Sequence, residues 1–319
     1  MNLIVPVSYY FGTPRSEIWQ LDTSTGNKKL LHSLPDSGRE VRGKGITGLA
    51  WLDDLHLVAC DFNRLFKLDK NTLSIVSKYE DDELNDLHSL NTDQEFIHVA
   101  NAGRDSIDVF NHQLQLMERI DCLGSDEWRK RKAGDYSVSG SYFDSPGCGL
   151  PFHRRRVPDK WHFNHVFRAP GHLGGQVIAT SFASRSLLDA HSLKPVSSTL
   201  PIQPHDGFVY EEAIWVTTVS GQIYRAPFKM PFDFEMVFDL FKIAPHQGWC
   251  RGFLIAEGSM FVGLTSIYEV STRTDWLSCP IEETRSGIYQ LNMGTMEVEA
   301  FHDFSSTNGS RIFTMIADR

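Results

Sequence analysis

Five segments of this chain repeat one unit, in which a turn leads into a short apolar strand that opens on polar residues. A second, richer apolar strand follows roughly eight residues on. The openings are residues 46–50, 86–90, 163–167, 205–209 and 251–255, and their partners are 55–60, 96–101, 176–182, 214–219 and 260–265. Apart from one long insertion, the openings recur about every 40 to 46 residues, the period of one four-stranded propeller blade. A single blade cannot bury both of its faces, so neighbouring blades must stack around an axis. The expectation is an all-β, six-bladed β-propeller formed by residues 1–319 as one domain.

The sixth blade is predicted to be shared between the ends of the chain. Residues 3–9, 17–22 and 28–34 read as second, third and fourth strands with no first strand before them, and residues 311–316 supply one apolar strand without partners of its own. Pairing the two closes the ring and removes exposed sheet edges. Aromatics at 12% and 24 glycines suit many short strands joined by tight turns, such as 102–105 and 219–222. Helical periodicity is nearly absent, and 233–242 fits a strand better than a helix.

A net charge of −9 argues against a nucleic-acid or anionic-membrane partner, since both surfaces repel an acidic protein. The N-terminus lacks the cationic lead and apolar core of a secretory signal, and no run approaches the ~20 apolar residues that cross a bilayer. Cys60, Cys122, Cys148, Cys250 and Cys279 are scattered and odd in number, which fits a reduced, cytoplasmic protein. Residues 123–160 and 272–286 interrupt the repeat. The longer insertion carries basic clusters at 129–132 and 154–156 and a glycine-rich stretch at 145–149, which suits a lid, a partner-binding loop or a solvated excursion.

In a propeller the first strands line the central channel, so the polar residues that open them are the candidate site. These are Thr47, His88, Asn164, His165, His205, Asp206 and Arg251. His88, His165 and His205 would hold a divalent metal, zinc or iron by preference for nitrogen donors. Strict alternation sets His205 and Asp206 on opposite faces, and likewise Asn164 and His165. A second arrangement therefore uses the oxygen ligands Asn164 and Asp206 for calcium. Arg251 would pair with a carboxylate or phosphate of a small anionic substrate, Asp206 would act as acid, base or orienter, and Asn164, Thr47 and His246 would contact the substrate. Cys250, beside Arg251, is the alternative nucleophile.

Residues 205–209 (His-Asp-Gly-Phe-Val), 213–217 (Ala-Ile-Trp-Val-Thr) and 221–225 (Gly-Gln-Ile-Tyr-Arg) resemble a blade of the gluconolactonase, senescence-marker and strictosidine-synthase-like superfamily. That resemblance implies a six-bladed propeller, a calcium-dependent lactonase-like hydrolysis, and ligand roles for Asn164 and Asp206. The superfamily's glutamate ligand has no counterpart at 45–48 or 311–313. A fuller likeness, over most of residues 80–270, is to a bacterial group of uncharacterised propeller proteins. It rests on 86–88 (Asp-Leu-His), 162–165 (His-Phe-Asn-His), 204–206 (Pro-His-Asp) and 250–253 (Cys-Arg-Gly-Phe), and implies the fold and a histidine-rich axle but no reaction. The expected function is a metal-dependent hydrolase, lyase or isomerase acting in the channel. The alternatives are the calcium lactonase and a non-catalytic interaction scaffold, which an exposed aromatic rim would distinguish.

Overall fold

The computed structural model describes residues 1–12, 15–35, 44–133, 151–154, 157, 159–171, 174–268 and 274–319. Its secondary structure is mostly strand, in six small antiparallel sheets, and the fold is a six-bladed β-propeller. In chain order, β1 (Asn2–Tyr9), β2 (Arg15–Asp22) and β3 (Lys28–Pro35) belong to the blade shared by the termini. The next blade is β4 (Gly48–Trp51), β5 (His56–Cys60), β6 (Arg64–Asp69) and β7 (Ile75–Glu80), followed by β8 (Leu87–Thr92), β9 (Phe96–Asn101), β10 (Ser106–Asn111) and β11 (Leu116–Asp121). Helix α1 (Ser125–Ala133) then opens the long insertion. The blade of β12 (Phe163–Arg168), β13 (Val177–Ser181) and β14 (Ser186–Asp189) has three strands, with a single bridge between Leu188 and Pro195 where a fourth would lie. Then come β15 (Pro204–Tyr210), β16 (Ala213–Thr218), β17 (Gln222–Pro227) and β18 (Glu235–Asp239), and β19 (Trp249–Ala256), β20 (Ser259–Thr265), β21 (Gly287–Asn292) and β22 (Val298–Asp303). Finally β23 (Ser310–Ile312) and β24 (Ile316–Ala317) both pair antiparallel with β1, so the chain ends complete one blade as expected.

The blades fall into two compact units. Of the described residues, those within 1–35, 44–46 and 197–319 form the first, and those within 47–196 the second. Each unit holds three blades, and within each the core lies between neighbouring blades. In the second unit Val58, Leu65, Leu87, Val99 and Phe110 fill one interblade layer, and Ile107, Ala179, Phe163 and Val166 fill the next. In the first unit Trp215, Ile223, Cys250, Val262 and Tyr289 form one layer, and Leu3, Val5, Phe261, Ile288 and Ile312 another. Burying one such side chain contributes about 1.5–3 kcal/mol, which makes stacking of the sheets the main source of stability.

Most blades carry the same turn between third and fourth strands. Asp22, Asp69, Asn111, Asp189 and Asn292 each accept backbone N–H bonds two to four residues on, from Ser24, Thr72, Gln113, Ser192 and Thr295 among others. Each turn then reverses through a left-handed residue, Gly26, Leu73, Leu114, Leu193 or Met296. Such Asx turns substitute a side-chain acceptor for a backbone one and set where the outer strand begins.

The long insertion is not a solvated excursion where it is described. Arg131 of α1 is buried and donates to Asp105 Oδ2 at 2.8 Å and to the carbonyl of Gly103 at 3.1 Å. Lys132 pairs with Glu83 at 2.6 Å, and Trp128 lies under the Arg104 guanidinium at 3.8 Å. Asp105, itself fully buried, also accepts the backbone N–H groups of Lys160, Trp161 and His162 at 2.6, 2.9 and 3.2 Å. One carboxylate thus ties both ends of the insertion to the blade of β8–β11. Within the basic cluster at 129–132, Arg131 and Lys132 are thus engaged with acidic groups of the scaffold, and Arg129 pairs with Asp126 of α1 itself. Residues 145–149, Arg155 and Arg156 lie outside the described residues.

Candidate functional site

Four of the first strands lose register at the residues the sequence singles out. The pairing shifts between Leu87 and Ser89, between Phe163 and His165, between Pro204 and Gly207, and between Cys250 and Phe253. At each of these β-bulges an extra residue stands opposite the partner strand, which bends the strand and re-aims its side chains. The displaced positions contain His88, Asn164, His205 with Asp206, and Arg251 with Gly252. Alternation therefore fails where it was expected to separate neighbours.

In the first unit the consequence is a paired acid and base. Nδ1 of His205 lies 2.7 Å from Asp206 Oδ2, and both residues are buried. A carboxylate only accepts, so the imidazole donates from Nδ1 and its basic lone pair resides on Nε2. The same Oδ2 accepts the backbone N–H of Gly252, on the bulge of the adjacent blade, at 2.8 Å. Gly252 has a φ of +77°, and an added Cβ would come within 3.2 Å of Met315 and 3.3 Å of the Phe313 carbonyl. Glycine is thus required there both for its backbone conformation and for the close approach of β19 to the C-terminal segment. Arg251, beside it, places its guanidinium over Phe313 at 4.6 Å and Trp249 at 5.4 Å.

The second unit holds the other candidates. His88 Nδ1 donates to the carbonyl of Asp86 at 2.9 Å. Asn164 is fully buried, and His165, at the edge of burial, donates its backbone N–H to the Thr180 hydroxyl oxygen at 2.9 Å. The imidazole beside His88 is His162, whose ring centroid lies 4.6 Å away at 74°. His162 Nδ1 in turn donates to Asp159.

Three more of the singled-out residues have defined surroundings. The Thr47 hydroxyl donates to the Leu87 carbonyl at 2.7 Å, which fastens the start of β4 to β8. The His246 ring packs on Phe301 of β22 with a centroid distance of 4.9 Å. Cys250 is fully buried and burial drives its thiol pKa far above the ordinary value, contrary to the nucleophile alternative. Cys60, equally enclosed, is pushed up to about 12 by burial, with Asp61 adding to the effect.

The metal expectation joined His88 and His165, in the second unit, to His205, in the first. Among the described residues no group of three or more His, Cys, Asp or Glu side chains could hold a metal ion. His205 Nδ1 is directed to Asp206, and Asp206 Oδ2 carries two hydrogen bonds. Among the described residues, His88, His165 and His205 therefore do not form such a group. His162 and Asp159 receive no site role from sequence because they lie just before the opening at 163–167, and Asp105 receives none because it falls in the turn between β9 and β10, which reads from sequence only as a turn. The bulges had a signal in the isolated glycines Gly207 and Gly252 inside strand patterns.

No protein-family model matches the chain, and no curated protein matches it. Solved structures share the fold. A protein of unknown function from Bacteroides caccae superposes with a TM-score of 0.62 at 9% identity, covering 98% of this chain and 97% of the other. A chain of the nidogen–laminin complex gives 0.60 at 11% identity, covering 98% and 97%. A candidate 6-phosphogluconolactonase from Bacteroides fragilis gives 0.52 at 12% identity, covering 94% and 81%. At these identities the likeness establishes the propeller fold alone. Among the described residues no helix is long and apolar enough to cross a membrane.

Proposed function

We propose that the protein is a hydrolase of small anionic molecules in which His205 is the general base, Asp206 orients it and Arg251 binds the anion. The observation that carries this reading is the His205–Asp206 contact of 2.7 Å, braced by the Gly252 N–H. A carboxylate that fixes an imidazole in one tautomer keeps Nε2 ready to take a proton from water and stabilises the imidazolium that results. A hydroxide generated in this way attacks an ester or lactone carbonyl, and the imidazolium returns its proton to the leaving oxygen. The stacked guanidinium of Arg251 offers a planar, preformed partner for a carboxylate or phosphate. Lactones are the first class to test, because a candidate lactonase shares the fold.

The test is turnover of lactones and esters bearing a carboxylate or phosphate, by the unaltered chain and by His205→Gln, Asp206→Asn and Arg251→Lys. General-base loss should lower kcat about 10²–10⁴-fold, whereas the Arg251 change should act mainly on KM. Turnover that survives His205→Gln would exclude the assignment, as would inertness toward every member of these classes.

A non-catalytic scaffold is the second reading, favoured by one aromatic surface. Phe11 is 53% exposed and Tyr268 38% exposed, with ring centroids 5.4 Å apart and Tyr10 packed beside both. If this surface grips a protein, Phe11→Ser with Tyr268→Ser abolishes a stoichiometric complex that His205→Gln leaves intact.

A further inference from the structure

We propose that His88 and His162 form a two-imidazole site for a borderline divalent transition-metal ion such as zinc or cobalt. It lies in the second unit and does not rest on the role given to His205. Both rings have Nδ1 committed to an oxygen that can only accept, the Asp86 carbonyl for His88 and the Asp159 carboxylate for His162. Each imidazole is thereby held in the tautomer whose lone pair is on Nε2. Metal-binding histidines almost always donate their other ring N–H to a carboxylate or backbone carbonyl in this manner, which orients the ring and raises its basicity. The ring centroids are 4.6 Å apart, with side-chain exposures of 5% and 13%. A pair of neutral imidazoles suits a borderline cation better than calcium or magnesium.

The surroundings favour positive charge and fix the geometry. The Asp86 carboxylate is 3.6 Å from His88 Nδ1, and Asp159 adds a second negative group. Both flanking backbones are left-handed without glycine, with φ of +54° at Asp86 and +49° at His162. Such conformations are costly and persist only where the surroundings enforce them. Here the enforcing contacts are the bulge at His88 and the bond from the His162 N–H to Asp105, which Arg131 of the insertion also holds. The insertion therefore acts as a fixed brace that delivers His162 to His88. Two protein ligands leave positions for water or for donor atoms of a bound molecule.

The full chain, without a histidine tag and stripped with chelator, is titrated with Co²⁺ by visible absorption and with Zn²⁺ by calorimetry. The expected result is one ion per chain, with affinity reduced at least tenfold in both His88→Gln and His162→Gln. Asp159→Asn should lose about 10–100-fold, and His165→Gln should bind as the unaltered chain does. Melting of each variant in the metal-free state identifies any that fails to fold. Crystals of the unaltered chain soaked in zinc should show an anomalous peak contacting both rings, which needs no variant. Undiminished binding by a folded His162→Gln overturns the proposal, as does no uptake, or zinc found only at other histidines.

Discussion

Removing the C-terminal strand tests how the blade shared by the termini is held. Ending the chain at Arg311 deletes Ile312, Phe313 and Met315, each at most 3% exposed, and Ile312 and Met315 belong to the layer containing Leu3, Val5 and Phe261. At about 1.5–3 kcal/mol per buried side chain, the loss is about 5–9 kcal/mol. It also removes the reciprocal bonds between Ile312 and the Thr265 hydroxyl, at 3.0 and 3.1 Å, and uncovers the edge of β1. Most domains are stable by only about 5–15 kcal/mol, so this truncation should consume most or all of the margin. A milder truncation after Ala317 loses the Asp318 N–H bond to Asn2 and the Gln20 bond to the Asp318 carboxylate, at 2.9 and 2.7 Å. Two such bonds contribute about 1–3 kcal/mol. Urea unfolding followed by tryptophan fluorescence, with the soluble yield, should therefore rank the unaltered chain, the short truncation and the long truncation in that order. A chain ending at Arg311 that stays soluble and unfolds cooperatively within about 1 kcal/mol of the full chain refutes the argument. Because Phe313 also lies under Arg251, any surviving fold should bind anionic ligands less well.

Asp105→Ala should destabilise the protein by about 3–5 kcal/mol, since it strands the buried Arg131 charge and three backbone donors, and limited proteolysis should then cut within 123–160 first. A loss under 1 kcal/mol with an unchanged digest contradicts that role. Cys60, Cys122 and Cys250 should stay silent to a thiol reagent until the chain unfolds, because burial raises all three thiol pKa values; prompt labelling of any of them argues against the packing described. Acid should weaken the anchor of α1. Burial pushes Glu83 upward, but Lys132, Arg104 and Arg119 together outweigh it and hold the carboxyl below its ordinary value of 4.5. A depressed folded pKa stabilises fully above the unfolded value and loses that contribution as pH falls through the folded one. The melting temperature should fall below about pH 4.5, and Glu83→Gln should reduce part of that fall; an identical acid limb in the variant dismisses the contribution of Glu83.

Particular elements show what was legible before folding. β9 spans the residues expected of it, 96–101, and β20 extends the expected 260–265 by one residue, because a strand buried along nearly its whole length is written as a short, largely apolar run bounded by turn residues. The same reading foresaw the pairing of the chain ends. It missed α1, whose polar sequence lacks an apolar stripe and whose attachment comes from Arg131 meeting Asp105.

The candidate site was only half legible for the same reason. Polar residues at strand openings marked His88, Asn164, His205, Asp206 and Arg251. Which of them share a face depends on an extra residue in each of β8, β12, β15 and β19, and period-two reasoning cannot see a bulge. Sequence alone determined the blades, because strand periodicity and turn chemistry act over a few residues. Tertiary structure alone decided that His205 meets Asp206, that His162 stands beside His88 and that Asp105 secures the insertion. Those contacts depend on register shifts and on charges brought together from distant parts of the chain.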